Sequence, residues 1–161
     1  MIRCIEIVSG GQTGVDRGAL DAALAAGAAC GGWCPTGRMA EDGAIPDRYP
    51  VRELLGGYED RTRMNVEDSD GTLIIHFGAM SGGTLFTHGV CVELNKPVLT
   101  IDATERDLAA ALAASLDFLE SSGIERLNVA GPRASGDARG YAYARDLVGL
   151  LLQVAGTVTT K

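Results

Sequence analysis

One arrangement constrains this chain more than any other, and it occurs twice. A short apolar run leads into a glycine-rich turn, which opens into an Ala/Leu-type segment. Ile5-Glu6-Ile7-Val8 precedes Ser9-Gly10-Gly11-Gln12-Thr13-Gly14, and residues 16–26 follow with helical composition. Thr72-Leu73-Ile74-Ile75-His76-Phe77 precedes Gly78-Ala79-Met80-Ser81-Gly82-Gly83, and a second helix is predicted over residues 84–93. The alternation continues with a buried strand over 97–102. A capping box, Thr104-x-x-Asp107, then precedes a helix with Leu108, Leu112, Leu116 and Leu119 on one face. A strand over 126–130 ends in Gly131-Pro132-Arg133. The last helix carries Tyr143, Leu147, Leu150, Leu151 and Val154 on one side. Repeated β-loop-α units predict an α/β fold, a Rossmann-like three-layer sandwich with a mainly parallel central sheet and helices on both faces. Right-handed crossovers would gather the glycine turns at one edge of that sheet.

At 161 residues the chain fits a single domain, taken as 1–161. No apolar stretch approaches a membrane span, and residues 1–11 read as neither a basic nor a secretory leader, so a cytoplasmic protein is expected. The net charge of −7 argues against nucleic acid as a partner, since binding it requires a basic face. Its 14 cations are 12 Arg and 2 Lys, a bias toward the planar fork that suits phosphate and carboxylate. Cys4, Cys30, Cys34 and Cys91 form no C-x-x-C pair; Cys4 and Cys91 read as core thiols. With two histidines, His76 and His88, a His-rich metal site is not available, and no metal ligand is assigned.

The turns carry the candidate chemistry. Backbone N–H groups of Gly10, Gly11, Gln12, Thr13 and Gly14 can approach an anion at a helix N-terminus. Thr13 and Asp16 also fit a capping box, so Asp16 is either a cap or a carboxylate aimed at a ligand hydroxyl or a reacting water. Ser81, Gly82, Gly83 and Thr84 form a second cradle. Gly78 and Gly83 have P-loop spacing, but Thr84 stands where that motif needs Lys. Arg133 adds a cation at the same sheet edge. Arg38 and Arg48 lie in a segment, 35–50, without a period of 2 or 3.6, which reads as a loop covering a ligand. Arg61, Arg63 and Asn65 precede the second glycine unit, with Asn65 as a cap or a ligand contact.

These strings together resemble the molybdenum cofactor carrier proteins, the circularly permuted YpsA branch of the SLOG superfamily. The likeness rests on Ser9-Gly10-Gly11-Gln12-Thr13-Gly14-Val15-Asp16-Arg17-Gly18, Pro35-Thr36-Gly37-Arg38 with Glu41-Asp42-Gly43, and Arg61-Thr62 with Asn65 and Ser69-Asp70-Gly71-Thr72. It continues through Ser81-Gly82-Gly83-Thr84 to Lys96-Pro97 and ends at Leu127-Asn128-Val129-Ala130-Gly131-Pro132-Arg133. The resemblance implies a Rossmann-like domain that binds a nucleotide-derived or molybdopterin-type ligand and forms homo-oligomers. Related lysine-decarboxylase-like proteins release a base from a nucleotide and carry P-G-G-x-G-T-x-x-E. Here Ser81 stands in place of the Pro and Gly89 in place of the Glu, with Glu93 one turn further on.

Three readings stay open at this point, and with them whether the chain is an enzyme. The first is a carrier that holds a phosphorylated small anion across both glycine turns. In the second, a nucleotide N-glycosidase, Asp16 and Glu93 would be catalytic. The third is a nucleotide-sensing regulatory domain.

Overall fold

The computed structural model describes residues 4–155. Six strands, β1 (Glu6–Val8), β2 (Cys30–Cys34), β5 (Val51–Glu53), β6 (Gly71–His76), β7 (Val98–Asp102) and β8 (Arg126–Ala130), form one sheet in the order β5-β2-β1-β8-β6-β7. Every pairing within it is parallel. Helices α1 (Val15–Ala25), α4 (Leu108–Ser122) and α5 (Gly140–Ala155) cover one face, while α2 (Tyr58–Glu67) and α3 (Gly82–Glu93) cover the other. The Rossmann-like three-layer α/β expectation is met, with a fully parallel central sheet.

A parallel strand buried on both faces reads as a continuous apolar run. Leu73-Ile74-Ile75 of β6 is such a run, and all three side chains are fully buried. The main core joins Ile5, Ile7, Leu73 and Ile75 to Leu147 and Leu151 of α5. A smaller one on the other face joins Val66 of α2 to Val90 and Cys91 of α3. Gly123, at φ 63°, ends α4 in the left-handed conformation that stops helices.

Several details differ from the sequence reading. Cys4 is exposed, at the margin of the sheet; Cys91 is buried as expected. The cap of α4 is Asp107 alone, whose side chain accepts from Ala110 N–H at 2.9 Å, while Thr104 turns to Asp102. The buried face of α5 is Ala144, Leu147, Val148, Leu151 and Leu152, so Val154 is 53% exposed rather than in the core. The 35–50 segment is not irregular throughout. It contains a small antiparallel hairpin of β3 (Met39–Ala40) and β4 (Gly43–Ala44), seated on its own apolar cluster of Ile45, Tyr49 and Val51 with Leu20 and Cys34.

Candidate functional site

The carboxyl ends of β1, β8 and β6 open into one cleft of about 710 Å³. From β1 the chain passes to α1 on one face of the sheet, and from β6 to α3 on the other. That divergence opens a crevice in a parallel sheet. The first glycine turn and α1 contribute Gly10, Gln12 and Asp16 to the lining. The second turn contributes Ser81, Gly82, Gly83 and Thr84, and the turn after β8 contributes Gly131, Pro132 and Arg133.

The two glycine turns are not equivalent, which corrects the expectation of a matched pair of amide cradles. The first turn is mostly buried, and its Gln12 and Thr13 amides, with that of Val15, are used internally. Gln12 N–H donates to Asp16 Oδ2 at 3.2 Å, Thr13 N–H to Gln12 Oε1 at 3.0 Å, and Val15 N–H to Pro132 O at 3.2 Å. Gly14, at φ 81°, leaves room for protein, not ligand: a Cβ there would meet Pro132 O at 2.4 Å. Gly11, Thr13 and Gly14 do not line the cleft. The Thr13 hydroxyl leaves α1 altogether, donating to Glu41 and accepting from Ala134 N–H, so no capping box forms with Asp16.

The second turn is the reverse. Ser81, Gly82 and Gly83 are exposed, and a Cβ at Gly78, Gly82 or Gly83 would meet nothing within 4 Å. No side chain caps α3. The N–H groups of its first turn therefore remain for an anion, reinforced by the helix dipole. The turn is anchored from behind by Asp102, whose Oδ1 accepts from Gly78 N–H at 3.1 Å and from the Thr104 amide and hydroxyl. Those bonds hold the Asp102 carboxyl down at about 2. His76 Nδ1 lies 2.7 Å from Gly78 O, a structural contact at the cleft wall.

At the β1 end, Arg61 Nη1 reaches Asp16 Oδ2 at 3.3 Å, with the two side chains 12% and 9% exposed. Burial pushes the Asp16 carboxyl above its usual value; Arg61 and the Gln12 amide pull it back only in part. Arg61 comes from α2, whose position is fixed one turn later by Asn65. The Asn65 side chain accepts from Trp33 N–H at 2.8 Å and donates to Trp33 O at 2.9 Å. Sequence reasoning assigned Arg61 no role. Its signal was a polar i, i+4 pair, Arg61 and Asn65, on the helix face that meets the sheet.

Other predicted residues fall elsewhere. Arg38 is outside the cleft: its guanidinium donates to the carbonyls of Ile45, Pro46, Tyr49 and Val51 and so shapes the 35–50 segment. Glu93 ends α3 at the pole away from the cleft and pairs with Arg63 at 3.0 Å. Arg48 packs over the Tyr49 ring at 4.4 Å. The 35–50 segment does not line the cleft; Glu41 at its hairpin tip bonds the Thr13 and Ser135 side chains and lies 3.6 Å from Arg133 Nε. Arg133 itself lines the cleft with a side chain 54% exposed. Among the described residues no group of three His, Cys, Asp or Glu is placed to hold a metal ion.

Residues 7–152 match the model of an established family. The chain belongs to the circularly permutated YpsA SLOG family. As a YpsA-type SLOG protein it is similar to a crystal structure described as "Putative molybdenum carrier protein", from Syntrophus aciditrophicus. The two are 41% identical with a TM-score of 0.90, over 92% of this chain and 95% of that one. No curated protein matches the chain. Among the described residues of this SLOG domain, no helix is long and apolar enough to cross a membrane.

Proposed function

We propose that this protein is a carrier that binds a phosphorylated, molybdopterin-type or nucleotide-derived molecule in the cleft. One observation carries the reading: the open, uncapped first turn of α3 at Gly82 and Gly83, facing a cleft of about 710 Å³. A phosphate seated there would accept from the first-turn N–H groups, with Arg133 supplying the counter-charge. Phe77, Met80 and Phe86 give the same cleft apolar wall for a flat ring system.

A phosphorylated pterin fits these residues. Gly82, Gly83, Thr84 and Arg133 would hold its phosphate. The chain offers no metal cluster of its own among the described residues, so molybdenum would travel as cargo on the pterin's sulfurs. The protein's part is then to grip, orient and shield. We also read it as cytoplasmic and self-associating. Its four free cysteines suit a reducing compartment, and Leu85 and Val92 leave an apolar stripe exposed on α3.

Anaerobic purification followed by mass spectrometry of the released small molecules tests the reading. A phosphorylated pterin or a nucleotide should be recovered, or should bind when added. Recovery of neither, with no binding of either, rejects it.

The glycosidase reading keeps one specific support: the buried Asp16 carboxylate at the same cleft. It no longer has Glu93, which is committed to Arg63 at the far pole of α3. Incubation with nucleoside monophosphates decides it: free base should appear with the parent protein and not with Asp16→Asn.

A further inference from the structure

The cleft has two chemically opposite ends. At β6 it offers donors: the first-turn amides of α3, the Ser81 and Thr84 hydroxyls, and Arg133 close by. At β1 it offers an acceptor, Asp16, with Arg61 pairing only part of it. Arg61 and Gln12 N–H both donate to Asp16 Oδ2, and the Ser9 hydroxyl lies against the same carboxylate. A carboxylate has about four acceptor positions, so Oδ1 keeps room for a ligand donor. Most neighbouring polar groups are already engaged, and the other acidic side chain at this end, Glu59, is exposed at the start of α2. Gln12 Oε1 already accepts from Thr13 and Glu41 N–H, the Ser9 hydroxyl donates to Val129 O, and the Asp137 carboxylate is held by Arg139.

The spacing of the two ends narrows the ligand. One strand, β8, lies between β1 and β6, so the strands that lead to the two ends stand about 10 Å apart. A molecule that fills both must carry an anion at one tip and N–H or O–H donors at the other. In a nucleoside monophosphate the sugar hydroxyls lie closer to the phosphate than the far edge of the base does. The far edge is thus the better match to Asp16. Oδ1, the oxygen left open, can accept from two adjacent donors that converge on it. Adjacent ring N–H and exocyclic amino donors occur on a 2-amino-4-oxopyrimidine edge. Adenine, with a ring nitrogen acceptor beside its amino group, lacks that pair.

We infer that Asp16 reads the 2-amino-4-oxopyrimidine edge common to pterins and guanine nucleotides, while the first turn of α3 holds the phosphate. Arg61 is a positioning residue: it favours the charged form of Asp16 and, by holding Oδ2, leaves Oδ1 for the cleft. This assignment rests on the carrier reading above and sharpens its ligand class.

Titration calorimetry with GMP, IMP, AMP and neopterin monophosphate tests it on the unmodified protein. IMP differs from GMP by the 2-amino group alone. GMP and neopterin phosphate should each bind at least about tenfold more tightly than IMP and AMP, the usual worth of a hydrogen bond to a charged group. Between those two, the tighter ligand identifies a pterin or a guanine nucleotide as the source of the edge. Asp16→Asn should weaken GMP at least about tenfold and IMP, which keeps the ring N–H, by less, so that the gap between the two narrows. Equal binding of all four ligands overturns the role of Asp16 and leaves the phosphate site standing. Binding of none overturns both. If Asp16→Asn proves unstable, the four-ligand series on the parent protein still decides.

Discussion

Arg61 Nη1 stands 3.3 Å from Asp16 Oδ2, and it occupies the space a Cβ on Gly10 would fill, 1.8 Å away. The pair is sheltered, so either partner alone would be a buried charge without compensation. Arg61→Met should destabilise the protein by about 3–5 kcal/mol, and combining it with Asp16→Asn should restore part of the loss. Denaturant unfolding of the two single variants and the double reads this directly; strictly additive losses would mean the pair is not coupled. The sign with pH is also fixed. The Asp16 carboxyl sits above its ordinary 3.8, so its contribution to stability is full below that value and is lost as pH rises through the folded value. Without Arg61 the folded value climbs further, and the deficit of Arg61→Met should therefore grow as pH rises.

Gly14 and Gly83 make opposite predictions from the same substitution. At Gly14 an added Cβ meets main-chain atoms, Pro132 O at 2.4 Å and Ala134 N at 2.9 Å, at φ 81°. Gly14→Ala should cost about 3 kcal/mol or more, because backbone strain and a clash add. At Gly83 an added Cβ meets nothing within 4 Å, and the residue lies in the first turn of α3. Gly83→Ala should keep the melting temperature or raise it, since Ala favours a helix by up to about 1 kcal/mol. Its affinity for a nucleoside monophosphate should nonetheless fall. A Gly83→Ala protein that binds as well as the parent would detach the phosphate from α3.

The elements that carry their own pattern were legible in the sequence. The apolar runs of β1, β6, β7 and β8, the helices that follow them, and the gathering of Gly10, Asp16, Ser81–Thr84 and Arg133 at one edge all follow from local composition and parallel connectivity. What was not legible is set by long-range contact. Cys30-Gly31-Gly32-Trp33-Cys34 carries no strand pattern of its own, yet it is β2. Gly32 is there because Ser9 O would lie 1.9 Å from its Cβ, a closeness no local pattern records. The same holds for the Gln12 and Thr13 amides of the first glycine turn, which look free in sequence and are taken up by the Asp16 and Gln12 side chains in the fold. Arg38 looked like an anion ligand and is instead the hub of four main-chain carbonyls.

Glu41 fastens the β3-β4 hairpin to the rest of the molecule. It accepts from the Thr13 hydroxyl, from Ser135 N–H at 3.1 Å and from the Ser135 hydroxyl at 2.5 Å. The Ser135 and Thr13 hydroxyls hold its carboxyl below the ordinary 4.5. The fastening is complete above that value and is lost as pH falls through the lower folded one. Asp42 adds a two-point contact to Arg17, at 2.6 and 2.8 Å. Glu41→Gln should therefore loosen the hairpin without releasing it. Amide exchange over residues 39–44 should quicken severalfold, and more so when Asp42→Asn is added. Unchanged exchange in the double variant would place the hairpin's hold in its apolar cluster alone.

Asp102 links the stability of the fold in acid to the shape of the phosphate end. Its carboxylate accepts from Gly78 N–H, from Thr104 N–H and from the Thr104 hydroxyl, which together bring it to about 2 from an ordinary 3.8. A depressed carboxyl stabilises the fold above the unfolded value and loses that contribution as pH falls through the folded one. The parent protein should accordingly lose stability between pH 3.8 and about 2 in a step that Asp102→Asn lacks. Since Gly78 opens the turn that leads to Ser81, Gly82 and Gly83, the same variant should also bind nucleoside monophosphate less tightly at neutral pH. The glycines there have no neighbours on the Cβ side to hold the turn in place. Affinity that survives Asp102→Asn, alongside a flattened acid response, would mean that α3 alone fixes the cradle and that Asp102 serves stability only.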